Sequence, residues 1–154
     1  MESFEDRVET LFKELEFAFQ WQRPSILLAS YEKEDTRRKV NFSLEQRLLA
    51  INHPLKQIRV NENRYDIPLI LSRRSDRQEV VYSIPHLSRG GGTEGANAYR
   101  ALNIRRELLV DYHIRVLFWL TRKESISLSR HAPDFWAFRH LVVEYDNPAQ
   151  EYQR

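Results

Sequence analysis

Cysteine is absent from this 154-residue chain, which excludes disulfides, thiolate metal sites and cysteine nucleophiles together and fits a reducing compartment. Long apolar runs are missing too: none approaches the roughly 20 residues that a membrane-spanning helix needs. The opening Met1-Glu2-Ser3-Phe4-Glu5-Asp6 is acidic where a secretory leader is basic, so a cytoplasmic chain with no membrane partner is expected. An excess of one charge is also lacking, with 24 Lys and Arg against 22 Asp and Glu and a net charge of +2. That balance argues against a dedicated nucleic-acid binder. The basic clusters Arg37-Arg38-Lys39, Arg73-Arg74 with Arg77, and Arg105-Arg106 read as solvated surface, because no stacking aromatics or groove-reading motif accompany them.

What is present describes an ordinary globular chain: 42% hydrophobic, 30% charged and 12% aromatic residues. Its length suits a single domain, 1–146, with residues 147–154 as a polar tail or the start of a linker. Phe4, Val8, Leu11, Phe12, Leu15 and Phe19 recur at helical spacing and predict an amphipathic helix from Phe4 to Gln20, capped by Ser3 with Asp6, within an N-terminal segment 1–22 packed on the domain. Ser25 to Tyr31 is a short continuous apolar run, as expected of a strand buried on both faces. After a charged turn from Glu32 to Thr36, a helix runs through Val40, Leu44, Leu48 and Leu49, and Leu55 to Val60 reads as a second strand.

Ile67 to Leu71 fits either a short strand or one helical turn. Glu79 to Leu87 is a strand, Asn97 to Tyr112 a helix and Ile114 to Leu120 a central strand. Thr121 caps the next helix, His131-Ala132-Pro133 interrupts it, Asp134 caps a turn from Phe135 to His140, and Leu141 to Tyr145 is the last strand. Alternating strands and helices predict an α/β three-layer sandwich: a five-stranded, mainly parallel sheet with right-handed crossovers and an extra N-terminal helix.

All four glycines fall within Gly90-Gly91-Gly92-Thr93-Glu94-Gly95, between a strand and a helix. That is the setting of a phosphate cradle, yet Ala96, Asn97, Ala98 and Tyr99 follow where a nucleotide-binding loop needs Lys-Ser or Lys-Thr. A flexible turn is the reading this supports, open to a partner or to an anion held by backbone N–H groups and Arg89, and not to a hydrolysable triphosphate. The five histidines, His53, His86, His113, His131 and His140, show no metal-ligand spacing. Ser83 and Ser88 lie near His86 in sequence, but no Gly-x-Ser-x-Gly elbow surrounds them.

The element order, together with Leu120-Thr121-Arg122 at the end of the fourth strand, resembles the core of STAND-type P-loop NTPases. The resemblance implies the strand order 5-1-4-3-2, and that Thr121 and Arg122 hold a vestigial phosphate-sensing position. Leu102-Asn103-Ile104-Arg105-Arg106-Glu107, Val116 to Thr121, and His131-Ala132-Pro133-Asp134-Phe135-Trp136-Ala137-Phe138-Arg139 are similar to degenerate modules of that kind at the N-terminus of bacterial tetratricopeptide-repeat proteins. The similarity covers roughly Ser25 to Tyr145. In that family the phosphate loop follows the first strand, where this chain has Tyr31-Glu32-Lys33-Glu34-Asp35-Thr36-Arg37, without glycine. The strand that should end in metal-binding and water-activating acids, Val80 to Leu87, has none. Phosphoryl transfer depends on those groups, so a non-catalytic module without a cofactor is expected.

The resemblance thus implies a regulatory or protein-interaction domain of a larger bacterial signalling or conflict-system protein. Its partner would be its own C-terminal repeat domain or another chain. Trp136, Phe138, Arg139 and Arg89 are the candidate interaction surface, with Phe118 and Trp119 expected beneath an aromatic lid on the carboxyl edge of the sheet. A second family competes: Ala29-Ser30-Tyr31-Glu32-Lys33-Glu34-Asp35 resembles the opening of TIR domains, some of which hydrolyse NAD with one glutamate. Glu107 falls where that glutamate would, or else pairs with Arg105 or Arg106 on a charged helix.

Overall fold

A computed structural model describes residues 4–139 and 141–145. Helix α1 (Phe4–Gln20) precedes strand β1 (Ser25–Ser30), and α2 (Glu34–Leu49) leads to β2 (Leu55–Gln57). Helix α3 (Ile67–Ser72), β3 (Val81–Ile84), α4 (Ala96–Asp111) and β4 (Arg115–Leu120) follow. Helices α5 (Arg122–His131) and α6 (Pro133–Phe138) then lead to β5 (Leu141–Glu144). The five strands form one sheet in the order β2-β3-β4-β1-β5, with every pairing parallel. The predicted order is therefore observed, and the sheet is parallel throughout.

The two central strands explain their own composition. All six residues of β4 are buried, and β1 is buried up to Ala29. Side chains alternate across a strand, so Ile26, Leu28, Val116, Phe118 and Leu120 face one layer, where α3, α4, α5 and α6 pack. Leu27, Ala29, Leu117 and Trp119 face the other, covered by Val8, Leu11 and Leu15 of α1 and by Val40, Leu44 and Leu48 of α2. Helix α1 is tied in by more than its apolar face. Arg115, buried at the head of β4, donates from Nε to the Arg23 carbonyl (2.9 Å) and from Nη2 to the Ala18 carbonyl (3.3 Å), and its guanidinium lies 4.6 Å from the Phe19 ring centre. Arg47 of α2 also pairs with Glu5 and Glu9 of α1.

Several expectations are corrected. The charged stretch from Glu32 to Thr36 is not all turn, since α2 begins at Glu34, where two acids suit the positive end of the helix dipole. The ambiguous Ile67–Leu71 stretch is helical: the Asp66 carboxylate accepts from the Leu69 N–H (3.4 Å) and Pro68 occupies the first turn. Strand β2 keeps only three residues and β3 four. β3 stops at Pro85 and at His86, whose φ is +64°. The Ser3–Asp6 cap and the segment from Asp146 onwards lie outside the described residues.

The glycine cluster is a packed joint more than a flexible turn. A Cβ on Gly90 would sit 2.4 Å from Ala98 Cβ, and one on Gly95 2.6 Å from Ser88 Cα. Gly95 also has φ +79°, which a glycine adopts at no steric cost where it leads into α4.

Asp134 does not cap its helix; Ala132 holds that position, with Pro133 first in α6. The cap comes from α4, where the Asn103 side-chain oxygen accepts from the N–H groups of Asp134 (2.9 Å) and Phe135 (3.1 Å). Phe135 is fully buried and meets Phe118 edge-on at 5.5 Å, while Trp136 and Phe138 are partly buried against the same core. Trp119 is not beneath this segment. It points through the opposite face, where its indole N–H donates to Ser83 Oγ (2.8 Å), which in turn donates to Asn41 Oδ1 (2.8 Å).

Candidate functional site

The chain leaves β1 for β2 through α2 on one face, then returns through β3 and β4 to β5 with its helices on the other. This reversal brings the loop after β1 next to the loops after β4 and β3, the place where open parallel sheets bind ligands. Tyr31, Glu34 and Arg37 come from the first loop and the opening of α2, His86 from beyond β3, and Thr121 and Glu124 from the start of α5.

The Glu34 carboxylate is the hub. It accepts hydrogen bonds from the Tyr31 hydroxyl (3.0 Å) and from Arg37 Nε (2.8 Å), and His86 Nε2 lies 3.8 Å away. Burial alone would raise the Glu34 carboxyl, but the hydrogen bonds from Arg37 and Tyr31 and the arginine's charge outweigh it and leave the group below its ordinary value. Burial pushes the Tyr31 hydroxyl up, reinforced by its bond to Glu34, so it remains a neutral donor. His86 is lowered, first by burial and then by Arg89, with Glu34 opposing. At neutral pH the cluster therefore holds an anion, a cation, a neutral phenol and a neutral imidazole. A buried guanidinium stands near the start of the helix, as a phosphate-binding cation would, but its charge is met by the chain's own carboxylate.

Glu124, buried at the next loop, closes the edge. Its Oε1 accepts from the Thr121 N–H (3.0 Å) and hydroxyl (3.1 Å), and the Thr121 hydroxyl accepts from the Glu124 N–H (3.2 Å), completing a capping box. Oε2 accepts from the Ser88 N–H (3.0 Å), which ties α5 to the loop beyond β3. Thr121 is thus engaged in capping, and Arg122 stands exposed as the first residue of α5.

Other expected site residues are dispersed. Arg139 is stacked on Trp136 at 4.5 Å and shares a shallow cleft with Arg23 and Ser25, at the amino end of β1. Arg89 lies exposed beyond β3, at the carboxyl edge. The four-residue interaction surface is therefore split between opposite edges of the sheet, roughly a strand length, about 20 Å, apart. Trp136 and Phe138 cover a face of the sheet and not its carboxyl edge. Glu107 is exposed on α4, and its expected partners are engaged elsewhere: Arg105 with Asp66 (2.8 Å) and Arg106 with the Asn103 carbonyl.

The basic clusters are likewise partly internal. Arg37 pairs with Glu34, and Arg74 holds Asp76 through two 3.0 Å bonds. Among the histidines, His53 stacks on Phe19 at 3.5 Å and donates from Nδ1 to the Glu79 carbonyl (2.8 Å). Among the described residues no three His, Asp or Glu side chains are placed to hold one metal ion, and no helix is long and apolar enough to cross a membrane.

Sequence reasoning did not find the Glu34–His86 approach or the Ser88–Glu124 bond, which join distant segments. The Thr121-x-x-Glu124 spacing was a readable signal for the capping box.

An all-parallel sheet in this order, with its crevice beyond β1, β3 and β4, is a P-loop-like α/β fold. Among solved structures, the chain is similar to the Thermotoga maritima RuvB Holliday junction branch migration motor, with a TM-score of 0.54 and 18% identity over 92% of this chain and 45% of that one. The chain therefore spans under half the length of that protein, and at this identity the likeness concerns the fold. No protein-family model and no curated protein matches.

Proposed function

We propose that this chain is a non-catalytic pseudo-NTPase module, of the degenerate STAND-like kind, that acts as a regulatory or protein-interaction domain of a larger bacterial signalling or conflict-system protein. The observation that carries the reading is Glu34. In the crevice where a P-loop-like fold takes phosphates, this carboxylate accepts from the Tyr31 hydroxyl and from Arg37 Nε and meets the arginine's charge. No lysine follows a glycine loop there, and His86 stands beyond β3 where a metal-binding acid would be needed. A motor's chemistry needs those groups, so the activity named for the RuvB neighbour does not come with the fold.

The test is thermal. Neither ATP nor GTP with Mg²⁺ should raise the melting temperature of the chain, because a ligand that binds only the native state must stabilise it. In Glu34→Ala, Arg37 loses its anion, and inorganic phosphate should then raise the melting temperature where it leaves the parent unchanged. A nucleotide-dependent rise in the parent would overturn the reading.

A further inference from the structure

At the amino end of β1, the edge of the sheet opposite the Glu34 crevice, a cleft of about 390 Å³ opens among the last turns of α1, the segment Arg23 to Ser25, and Arg139. That volume falls within the range of ligand-binding clefts. Its lip is aromatic: Phe17 is 48% exposed and Trp21 59%, with ring centres 6.1 Å apart. Large rings left side by side in water, next to arginines, are the residues that most often anchor an interface.

The charges around the cleft favour an anion. Arg23 and Arg139 line it, each held over a ring, Phe17 at 5.9 Å and Trp136 at 4.5 Å. A ring orients a guanidinium without neutralising it, so both keep donors for a carboxylate. Among the described residues no acid comes within salt-bridge distance of either, Glu14 on the same lining included. Behind the wall stands Arg115, 4% exposed, whose hydrogen bonds go to the carbonyls of Ala18, Arg23 and Gln78. Burial lowers this guanidinium and no acid opposes the effect. A buried cation without a counter-charge projects its field through a low dielectric, and Ala18 and Arg23, which hold it, are cleft residues. Ser25 adds a polar group. It is 2% exposed, its side chain turns to the α1 layer as those of Leu27 and Ala29 do, and its hydroxyl makes no hydrogen bond among the described residues.

We propose that this cleft docks an acidic segment of a partner protein, taking one carboxylate among Arg23, Arg139 and the Ser25 hydroxyl and laying a neighbouring apolar side chain on Phe17 and Trp21. Charge complementarity selects that occupant, since three cations line or back the cleft against one exposed acid, Glu14. A second copy using the same face would bring its own arginines against these. The site rests on the proposed function only in taking the module to bind proteins. The nucleotide tests read the opposite edge of the sheet, so either reading can fail alone.

NMR titration of the whole chain with acetyl-Glu-Phe-Glu-amide tests it, with the Gln-Phe-Gln peptide as the neutral match and sodium chloride as the salt control. The probe carries no indole, so the tryptophan side-chain N–H signals report on the protein alone. It should shift the Trp21 indole saturably, with the amides of Ala18, Arg23 and Ser25, and leave the Trp119 indole, bonded to Ser83 in the core, unmoved. Arg23→Gln and Arg139→Gln should each weaken the peptide about two- to fivefold, the worth of a partly exposed ion pair, and added salt should weaken it in the parent. Ser25→Ala should also weaken it, and serves if either arginine variant fails to fold. Absent or non-saturating shifts, equal shifts with the Gln-Phe-Gln peptide, or unchanged affinity in all three variants would overturn the proposal. So would movement of the Trp21 signal on dilution of the chain alone, which would assign the face to a second copy, or tighter binding of an oligothymidylate at the same signals, which would assign it to nucleic acid.

Discussion

Asp76 gathers more donors than any other carboxylate described here: Arg74 through two bonds of 3.0 Å, the Tyr82 hydroxyl at 2.5 Å and Lys56 at 2.9 Å. The Arg74 hydrogen bonds lead in holding its carboxyl well below the usual range, against a burial cost that would raise it. A depressed folded value means that the unfolded chain binds the proton more readily. The stabilisation is therefore fully present above the ordinary carboxylate value near 4 and is lost as pH falls through the folded one. Asp76→Asn should lower stability at neutral pH by about 1–3 kcal/mol, and its deficit should shrink in acid. Urea unfolding at a series of pH values checks this; a deficit that stays constant into acid would contradict it. From sequence, Arg73-Arg74 read as solvated surface, because a cluster of arginines does not announce an acid two residues on and a tyrosine in a strand.

At the level of elements, three segments far apart in sequence, 102–107, 116–121 and 131–139, meet one another. Asn103 on α4 caps α6, and Phe118 on β4 receives Phe135. These residues thus form a structural joint. Asn103→Ala should cost about 1–2 kcal/mol, the usual worth of a helix cap, measured by chemical denaturation. No measurable loss would show that water replaces the cap. Strands β1 and β4 were legible because a strand buried on both faces must be apolar throughout. Ile67–Leu71 was not, since a short apolar run has no period, and only the Asp66 cap and the packing of α3 on α4 decide it. The start of α6 was misplaced for a related reason: its cap lies 31 residues upstream.

For the molecule as a whole, a parallel sheet was legible because strands alternate with helices, and its order followed from the resemblance, whereas the assembly of a site from separate loops was not legible. Trp136 and Arg139 lie close in sequence and stack together, yet Arg89 belongs to the opposite edge. The TIR-like alternative is settled by turnover. The pseudo-NTPase reading expects no loss of NAD at high protein concentration and no difference in Glu107→Gln. NAD consumption that this substitution abolishes would establish the enzyme instead.

Glu34 has one more consequence. A nucleotide comes and goes with the metabolic state of a cell, but a carboxylate built into the backbone's own sequence is always present at one equivalent. On the pseudo-NTPase reading, a crevice filled in this way is deaf to energy charge. Under that reading, whatever sets the state of the domain would arrive by another route, with the loops around Glu34 as a fixed landmark for it.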